Sequence, residues 1–405
     1  MTLIEHINQI PYAYIEKAHD STLLFDFVES GACQSFLDVI NNITEGKAPE
    51  DPSMVLVINY NGKRVREGVT YELNKETLQS LLDSNQISLH QQDSLIIGYQ
   101  IDMTDEEGEL FNKSKAFTEF EKSVLSLETH TRPNIPEVTT DGKTKIIVRN
   151  VGQGSWNELH VDNKTKLIFD IGTHYHATKD DILKLIKDKE VKFQKDKPGI
   201  LISHWDIDHY HCLIGMTDDT IKAFRFLSGR NYLPTLTSRK VYSRFRNLSS
   251  GGTDKIFLIA PFDKPEKSPG YAPLTRMKED IHNVIFFNSC KHSNRNQNAI
   301  CIAIRKPNSS IVLPADTHYK QISNGILPHL NYPNNHYLVV PHHGGKAGKF
   351  LYKMEKENKS NTAIVSYGKN SYGHPNQSNI DFLKEKGFQI KRTPLLKEDF
   401  EIELN

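Results

Sequence analysis

Cysteine is scarce in this chain of 405 residues, and its four copies, Cys33, Cys212, Cys290 and Cys301, form no Cys-x-x-Cys pair. That excludes a disulfide-built scaffold and a thiolate zinc finger, and it fits free thiols in a reducing cytoplasm. Net charge is also missing. Fifty Lys and Arg are cancelled by fifty Asp and Glu, so any attraction to a polyanion has to come from a local patch. No apolar run approaches bilayer length, and residues 1–15 alternate charged and apolar side chains without a basic start and a long apolar stretch. Neither a membrane span nor a signal peptide is expected. A chain that is 37% hydrophobic and 25% charged is expected to fold as a globular protein with room for two or three domains.

Residues 1–112 read as a smaller α+β module. Between 21 and 43, Leu23, Leu24, Phe27, Val28, Cys33, Phe36, Leu37 and Ile40 fall close to helical spacing, with Gly31 as a break between two helices. Residues 54–60 read as a strand entering the Asn61-Gly62 turn, residues 72–85 as a helix and 94–101 as another strand. The acidic run 105–109 is a solvated loop. Nothing here concentrates catalytic side chains, and binding a protein partner is the default expectation. Residues 113–143 hold a helix at 117–127 and then a polar, Pro-containing linker.

From residue 144 onward one design repeats: an apolar strand that delivers His or Asp at its end. Residues 145–151 form a strand before Gly152-Gln153-Gly154-Ser155, a weak nucleotide-loop signal because no Lys-Ser/Thr pair follows. Leu167-Ile168-Phe169 ends in Asp170, and a helix is predicted over 180–189. The densest unit comes next. Gly199-Ile200-Leu201-Ile202 breaks into His204, Asp206, Asp208 and His209 within six residues. Buried charges are strongly penalised unless paired, and sharing a divalent cation is one remedy. Imidazole with carboxylate suits Zn²⁺, Mn²⁺ or Fe²⁺. Cys212 is close enough to be a ligand, although a small buried hydrophobe is the simpler reading. Three more units end in Asp316, in His342-His343 and in Tyr372-Gly373-His374-Pro375. Strand ends are where a sheet can bring such distant ligands together.

Between 221 and 246 the composition changes. Lys222, Arg225, Arg230, Arg239, Lys240, Arg244 and Arg246 accumulate with no Asp or Glu, interleaved with Phe224, Phe226, Tyr232, Tyr242 and Phe245. Basic groups attract phosphates and aromatic faces stack unpaired bases, so Arg225, Arg230, Arg239, Lys240, Arg244 and Arg246 are candidate nucleic-acid contacts. A solvated basic face over core aromatics is the competing account.

The box His204-Trp-Asp206-Ile-Asp208-His209, with V-G-Q-G-S, F-D-I-G, P-A-D, V-P-H-H-G-G and Y-G-H-P, resembles the metallo-β-lactamase superfamily from about residue 144 to the C-terminus. Asp at the second ligand position is similar to the ComEC-type branch, which includes the nuclease domain of the DNA-uptake channel of competent bacteria. The resemblance implies an α/β fold, an αββα sandwich in 144–405 preceded by the smaller α+β domain. It implies two divalent ions, Zn²⁺ or Mn²⁺ with Mg²⁺ admitted. His204 and Asp206 would serve the first ion, and Asp208 and His209 the second. Asp316 would bridge them, with His342 or His343 completing the second site. Asp170 would order the ligand loop. The superfamily's third-motif histidine is not evident; Asn298 stands in that region, with His282 and His292 nearby.

Two cations about 3.5–4 Å apart hold and acidify a water and steady both oxygens of an in-line displacement at phosphorus. Asp208 would orient that nucleophile, and His374 would protonate the leaving oxygen or neutralise phosphoryl charge. The expectation is a cytoplasmic metal-dependent DNase, with an effector role in antiviral defence as a further reading. The alternatives are a metallo-hydrolase of a small phosphodiester, cyclic nucleotide, lactone or thioester, and a non-catalytic adaptor with a degenerate metal site.

Overall fold

The structure is a computed structural model. It describes residues 12–19, 22–28, 31, 33–34, 36, 54–58, 65, 68–73, 87–92, 96–101, 111–112 and 135–405, the last apart from 250–251, 267–269, 278–282, 293, 331–333, 353–359, 369, 371–372 and 397. Two compact units emerge. The first gathers Met1–Ser126, His176–Leu183 and Tyr232–Arg244; the second gathers Leu127–Tyr175, Lys184–Asn231 and Phe245–Asn405. Two short segments expected in the second domain therefore group with the first unit.

The first unit contains a seven-stranded sheet in the order β5-β6-β3-β2-β1-β4-β7. Its strands are β1 (Tyr12–His19), β2 (Thr22–Phe27), β3 (Met54–Ile58), β4 (Thr70–Leu73), β5 (Ile87–Gln92), β6 (Ile96–Ile101) and β7 (Phe111–Asn112). The helix predicted from residue 21 is corrected here: Thr22–Phe27 is a strand paired with β1 and β3. Every residue from Leu23 to Val28 is buried, and a short, continuously apolar run carries no periodicity that separates helix from strand. The helix predicted over 72–85 begins inside β4; the rest of it, the turn at 61–62, the acidic run 105–109 and the helix at 117–127 lie outside the described residues. Buried Asp26 on β2 accepts a hydrogen bond from the Thr237 backbone N–H at 3.1 Å within the same unit.

The second unit is mixed α/β and holds two seven-stranded sheets. One runs β13-β12-β11-β10-β9-β8-β21. It is made of β8 (Thr144–Val148), β9 (Trp156–Val161), β10 (Lys164–Ile171), β11 (Gly199–Leu201), β12 (Phe226–Arg230), β13 (Ile256–Ile259) and β21 (Phe400–Leu404). Asp162 and Asn163, both at positive φ, close the β9–β10 hairpin in the manner such two-residue turns require. Strands β10 to β13 are parallel to one another.

The other sheet runs β14 to β20 in chain order: β14 (Leu274–Arg276), β15 (Val284–Ser289), β16 (Cys301–Arg305), β17 (Ser309–Leu313), β18 (Asn335–Val339), β19 (Ser360–Val365) and β20 (Phe388–Arg392). Its last four strands are parallel. Alternation along β16 shows how the layers form. Ile302 and Ile304 join a core shared with Val148, Leu159, Phe169 and Leu201 of the first sheet. Cys301 and Ala303 join a second core with Ile322, Ile326, Ile380 and Leu383 on helical segments. Each such fully buried aliphatic side chain contributes about 1.5–3 kcal/mol. Parallel strands in both sheets thus end on loops, and such carboxyl ends are where open α/β sheets bind ligands. Among the described residues no helix is long and apolar enough to cross a membrane.

Candidate metal centre

The densest ligand stretch leaves β11 and becomes the first turn of a helix, α1 (Ile207–Gly215), with extended Asp206 at its N-cap position. A helix start fixes Asp208 and His209 more tightly than an open loop would. The helix lies against the end of β10. A side chain on Gly172 would place its Cβ 1.6 Å from the Asp208 carbonyl oxygen. That same oxygen accepts the Ser155 N–H at 2.9 Å. The F-D-I-G and V-G-Q-G-S motifs are therefore the floor on which α1 starts.

Asp170, fully buried at the end of β10 with φ of 59°, sorts the neighbouring side chains. Its Oδ1 accepts the Ser203 N–H at 2.7 Å, and its Oδ2 accepts the Ser203 hydroxyl at 2.9 Å and faces His209 Nδ1 at 2.8 Å. His343 is oriented similarly, its Nδ1 lying 2.9 Å from the Ser366 carbonyl; His204 Nδ1 is 3.0 Å from the Ser203 hydroxyl. A ring nitrogen that donates outward leaves Nε2 with its lone pair inward, the arrangement metal-binding histidines use.

The inward atoms converge. Nε2 of His204, His209 and His343 are all buried without a hydrogen-bond partner. The donor atoms of His204, His209 and Asp316 lie within 4.8 Å of one another, as do those of Asp208, His209 and His343. Specific pairs are His204–Asp206 at 3.3 Å, His209–Asp316 at 3.3 Å, His343–Asp208 at 3.6 Å and His342–Asp316 at 3.7 Å. These exceed good hydrogen-bond lengths. Two donors each about 2.1 Å from one ion sit about 3.0 Å apart at an octahedral angle and about 3.4 Å apart at a tetrahedral one. The spacing and the orphaned imidazole nitrogens both fit a first-row divalent cation. His343 is the buried member of its pair; His342 approaches Asp316 from the more exposed side.

Electrostatics agree with this crowding. Burial pushes the His209 imidazole down, but the carboxylates of Asp170 and Asp316 outweigh it and hold the group well above the ordinary histidine range. Burial likewise opposes ionisation of Asp316, yet His209, His342 and His343 keep it well below the usual carboxylate range. Asp206 is also lowered against its burial, chiefly by the Arg295 guanidinium and then by His204. Arg295, which carries no sequence signal of its own, ion-pairs with Asp206 and donates to the Trp205 carbonyl.

His374 stands beside the cluster, its ring 5.2 Å from that of His342. The Gly368 N–H donates to Gln153 Oε1, which turns Gln153 Nε2 toward His374 Nδ1 at 3.3 Å. Nδ1 therefore accepts, and in the neutral ring the proton resides on Nε2. That ring fits only because residue 345 is glycine: a Cβ there would meet His374 Nε2 at 2.3 Å. Asn370 holds the His374 backbone at both its N–H and its carbonyl.

Other expected positions are placed elsewhere. The Asn298 side chain donates to the His292 carbonyl at 2.6 Å, which organises its own turn, while its buried Oδ1 makes no hydrogen bond. His282 lies outside the described residues. Cys212 is buried, its thiol pushed up by that burial, and it joins neither donor group.

Arg230 is corrected. It is 4% exposed and donates to Asn288 Oδ1 and the Ser289 hydroxyl, so it braces β12 and cannot meet a nucleic acid. Phe224, Phe226, Tyr242 and Phe245 are buried too, which removes them as stacking platforms. Arg239 donates to the Val28 and Leu233 carbonyls within the first unit, where Lys240 and Arg244 are half-buried. Arg225 and Arg246 are exposed. Compared with known proteins, the chain matches no family model and no curated protein.

Proposed function

We propose that this chain is a divalent-metal phosphodiesterase with DNA as its substrate, built on a metallo-β-lactamase-like sandwich. The observation that carries the reading is the convergence of His204, His209, His343, Asp208 and Asp316 with three inward imidazole nitrogens that make no hydrogen bond. His204 and Asp206 would hold one cation and Asp208, His209 and His343 the other, with Asp316 serving both. When bound, such ions supply Lewis-acid stabilisation of phosphoryl oxygens and acidify an attacking water. The chain's own groups do the rest. Asp208 accepts a proton from and orients the nucleophile, and His374 presents an Nε2 proton to the leaving oxygen. Asp170 keeps His209 in the right tautomer.

The choice of DNA rests on the motif resemblance and on the exposed Arg225 and Arg246. Loss of Arg230 and the aromatics from the basic stretch favours a second reading, hydrolysis of a small phosphodiester. Purified protein should be offered single- and double-stranded DNA, RNA and bis-p-nitrophenyl phosphate with Mn²⁺, Mg²⁺ or Zn²⁺. DNA cleavage that Asp208→Ala abolishes is expected; no cleavage of any diester, or cleavage unchanged in Asp208→Ala, refutes the assignment. Arg246→Glu separates the two readings. A DNase loses polymer cleavage with a reduced salt dependence, while a small-diester enzyme is indifferent.

A further inference from the structure

The two halves of the centre differ in one charged group. On one side, Asp208, His209 and His343 face each other with Asp316 and His342 adjacent. On the other side, His204, whose donor atom also groups with those of His209 and Asp316, has its Nε2 3.3 Å from Asp206 Oδ2, but Asp206 Oδ1 is already ion-paired with Arg295. Arg295 is held there. Its side chain is 9% exposed, it sits at the N-cap of the turn Asn296–Asn298, and it also donates to the Trp205 carbonyl. Asn298, at the end of that turn, donates its side-chain N–H to the His292 carbonyl. A guanidinium is permanently charged and forms the strongest of carboxylate contacts. A cation bound to His204 and Asp206 would share its carboxylate with that fixed positive charge.

Resting on the reading of this cluster as a metal centre, we propose that Arg295 makes the centre asymmetric. One divalent ion is held tightly by Asp208, His209, His343 and Asp316. Arg295 supplies the positive charge on the Asp206 side, where a second ion binds at least about tenfold more weakly.

The test is binding without substrate. Full-length protein stripped by chelator is titrated with Mn²⁺ by calorimetry, and bound metal is counted after equilibrium dialysis. Wild type should take up one ion tightly and a second at least about tenfold more weakly. Arg295→Met, which keeps the stem and removes the charge, should tighten the second ion about tenfold, whereas Arg295→Lys should keep the gap. Asp206→Asn should lose the second ion and leave the first within about twofold. Two ions of equal affinity in wild type, or a gap that survives in Arg295→Met, overturn the proposal. A chain that binds as described but cleaves no phosphodiester sinks the proposed function and leaves the asymmetry standing; a chain that binds no ion sinks both.

Discussion

Substituting Asp170 by Asn tests how the ligand set is oriented without touching an inward donor atom. Asn is the informative replacement because residue 170 has φ of 59°, a conformation that Asn tolerates and that Ala would strain. The carboxyl accepts three hydrogen bonds, two from Ser203 and one at His209 Nδ1. A carboxamide has one oxygen. Turned to keep the Ser203 N–H at 2.7 Å, it presents its NH₂ to His209 Nδ1 and to the Ser203 hydroxyl. His209 must then accept at Nδ1 and carry its proton on Nε2, the atom needed for the cation.

Metal binding would have to reverse that tautomer and leave a buried donor facing a donor. Loss of such an outer partner weakens metal affinity by about 10–100-fold, or roughly 1.4–2.7 kcal/mol. The assay is competition for Mn²⁺ or Zn²⁺ against a fluorescent chelator, with circular dichroism to verify the fold. An Asp170→Asn protein that folds and binds metal as tightly as wild type would refute the claim that Asp170 sets the His209 tautomer.

Three further outcomes are expected. Gly172→Ala drives a Cβ to 1.6 Å from the Asp208 carbonyl oxygen, so it should exceed the usual overpacking penalty of about 1–3 kcal/mol and lower both the melting temperature and metal affinity; unchanged melting would show that α1 does not rest on β10. His374→Ala should slow DNA cleavage about a hundredfold but slow bis-p-nitrophenyl phosphate far less, since a good leaving group needs no proton; equal losses on both substrates would reassign His374. Burial pushes the Asp26 carboxyl up to about 7 from 3.8, against hydrogen bonds from Thr237 and Thr235. Between about pH 4 and 7 the folded chain keeps a proton that the unfolded chain has released. Stability therefore falls as pH rises through that window, by at most about 4 kcal/mol, and is flat above it. Asp26→Asn should erase this slope in urea melts from pH 4 to 8, and an unaltered slope would assign it to other groups.

Much of the candidate site is legible because its logic is local. Strands β11, β17 and β18 end in apolar residues, and His204, Asp316 and His342 each stand three residues beyond a strand end. Legibility failed wherever the deciding partner was distant. Arg230 reads as a surface cation among other cations, yet its partners Asn288 and Ser289 are 58 and 59 residues further on. Arg295 reads as one basic residue in a polar turn, yet it meets Asp206, 89 residues earlier. Helical spacing in residues 21–28 misled for a related reason: pairing with both β1 and β3 buries the whole run, and that pairing is invisible to periodicity.

Backbone strain is a second feature that residue types conceal. Of the nine non-glycine residues with positive φ among the described residues, four are Asp170, Ala315, His342 and His343. Asp170 orients His209, Ala315 immediately precedes Asp316, and His342 and His343 are consecutive donors. Left-handed conformations at such residues cost on the order of 1–3 kcal/mol each and persist only where the surroundings enforce them. Here the enforcement is identifiable. The His342 N–H donates to the Ala315 carbonyl at 3.2 Å, tying the turn after β18 to the turn after β17. Gly344, also at positive φ, lies so close to Pro375 that a Cβ would reach it at 2.6 Å, which ties both turns to the segment carrying His374. The loops at these strand ends are thus bent into one another, and bending them is what brings Asp316, His342, His343 and His374 within reach of the helix start that bears Asp208 and His209. A relaxed extended exit from β17 or β18 would send those side chains apart, so the strain is the geometric condition for their clustering.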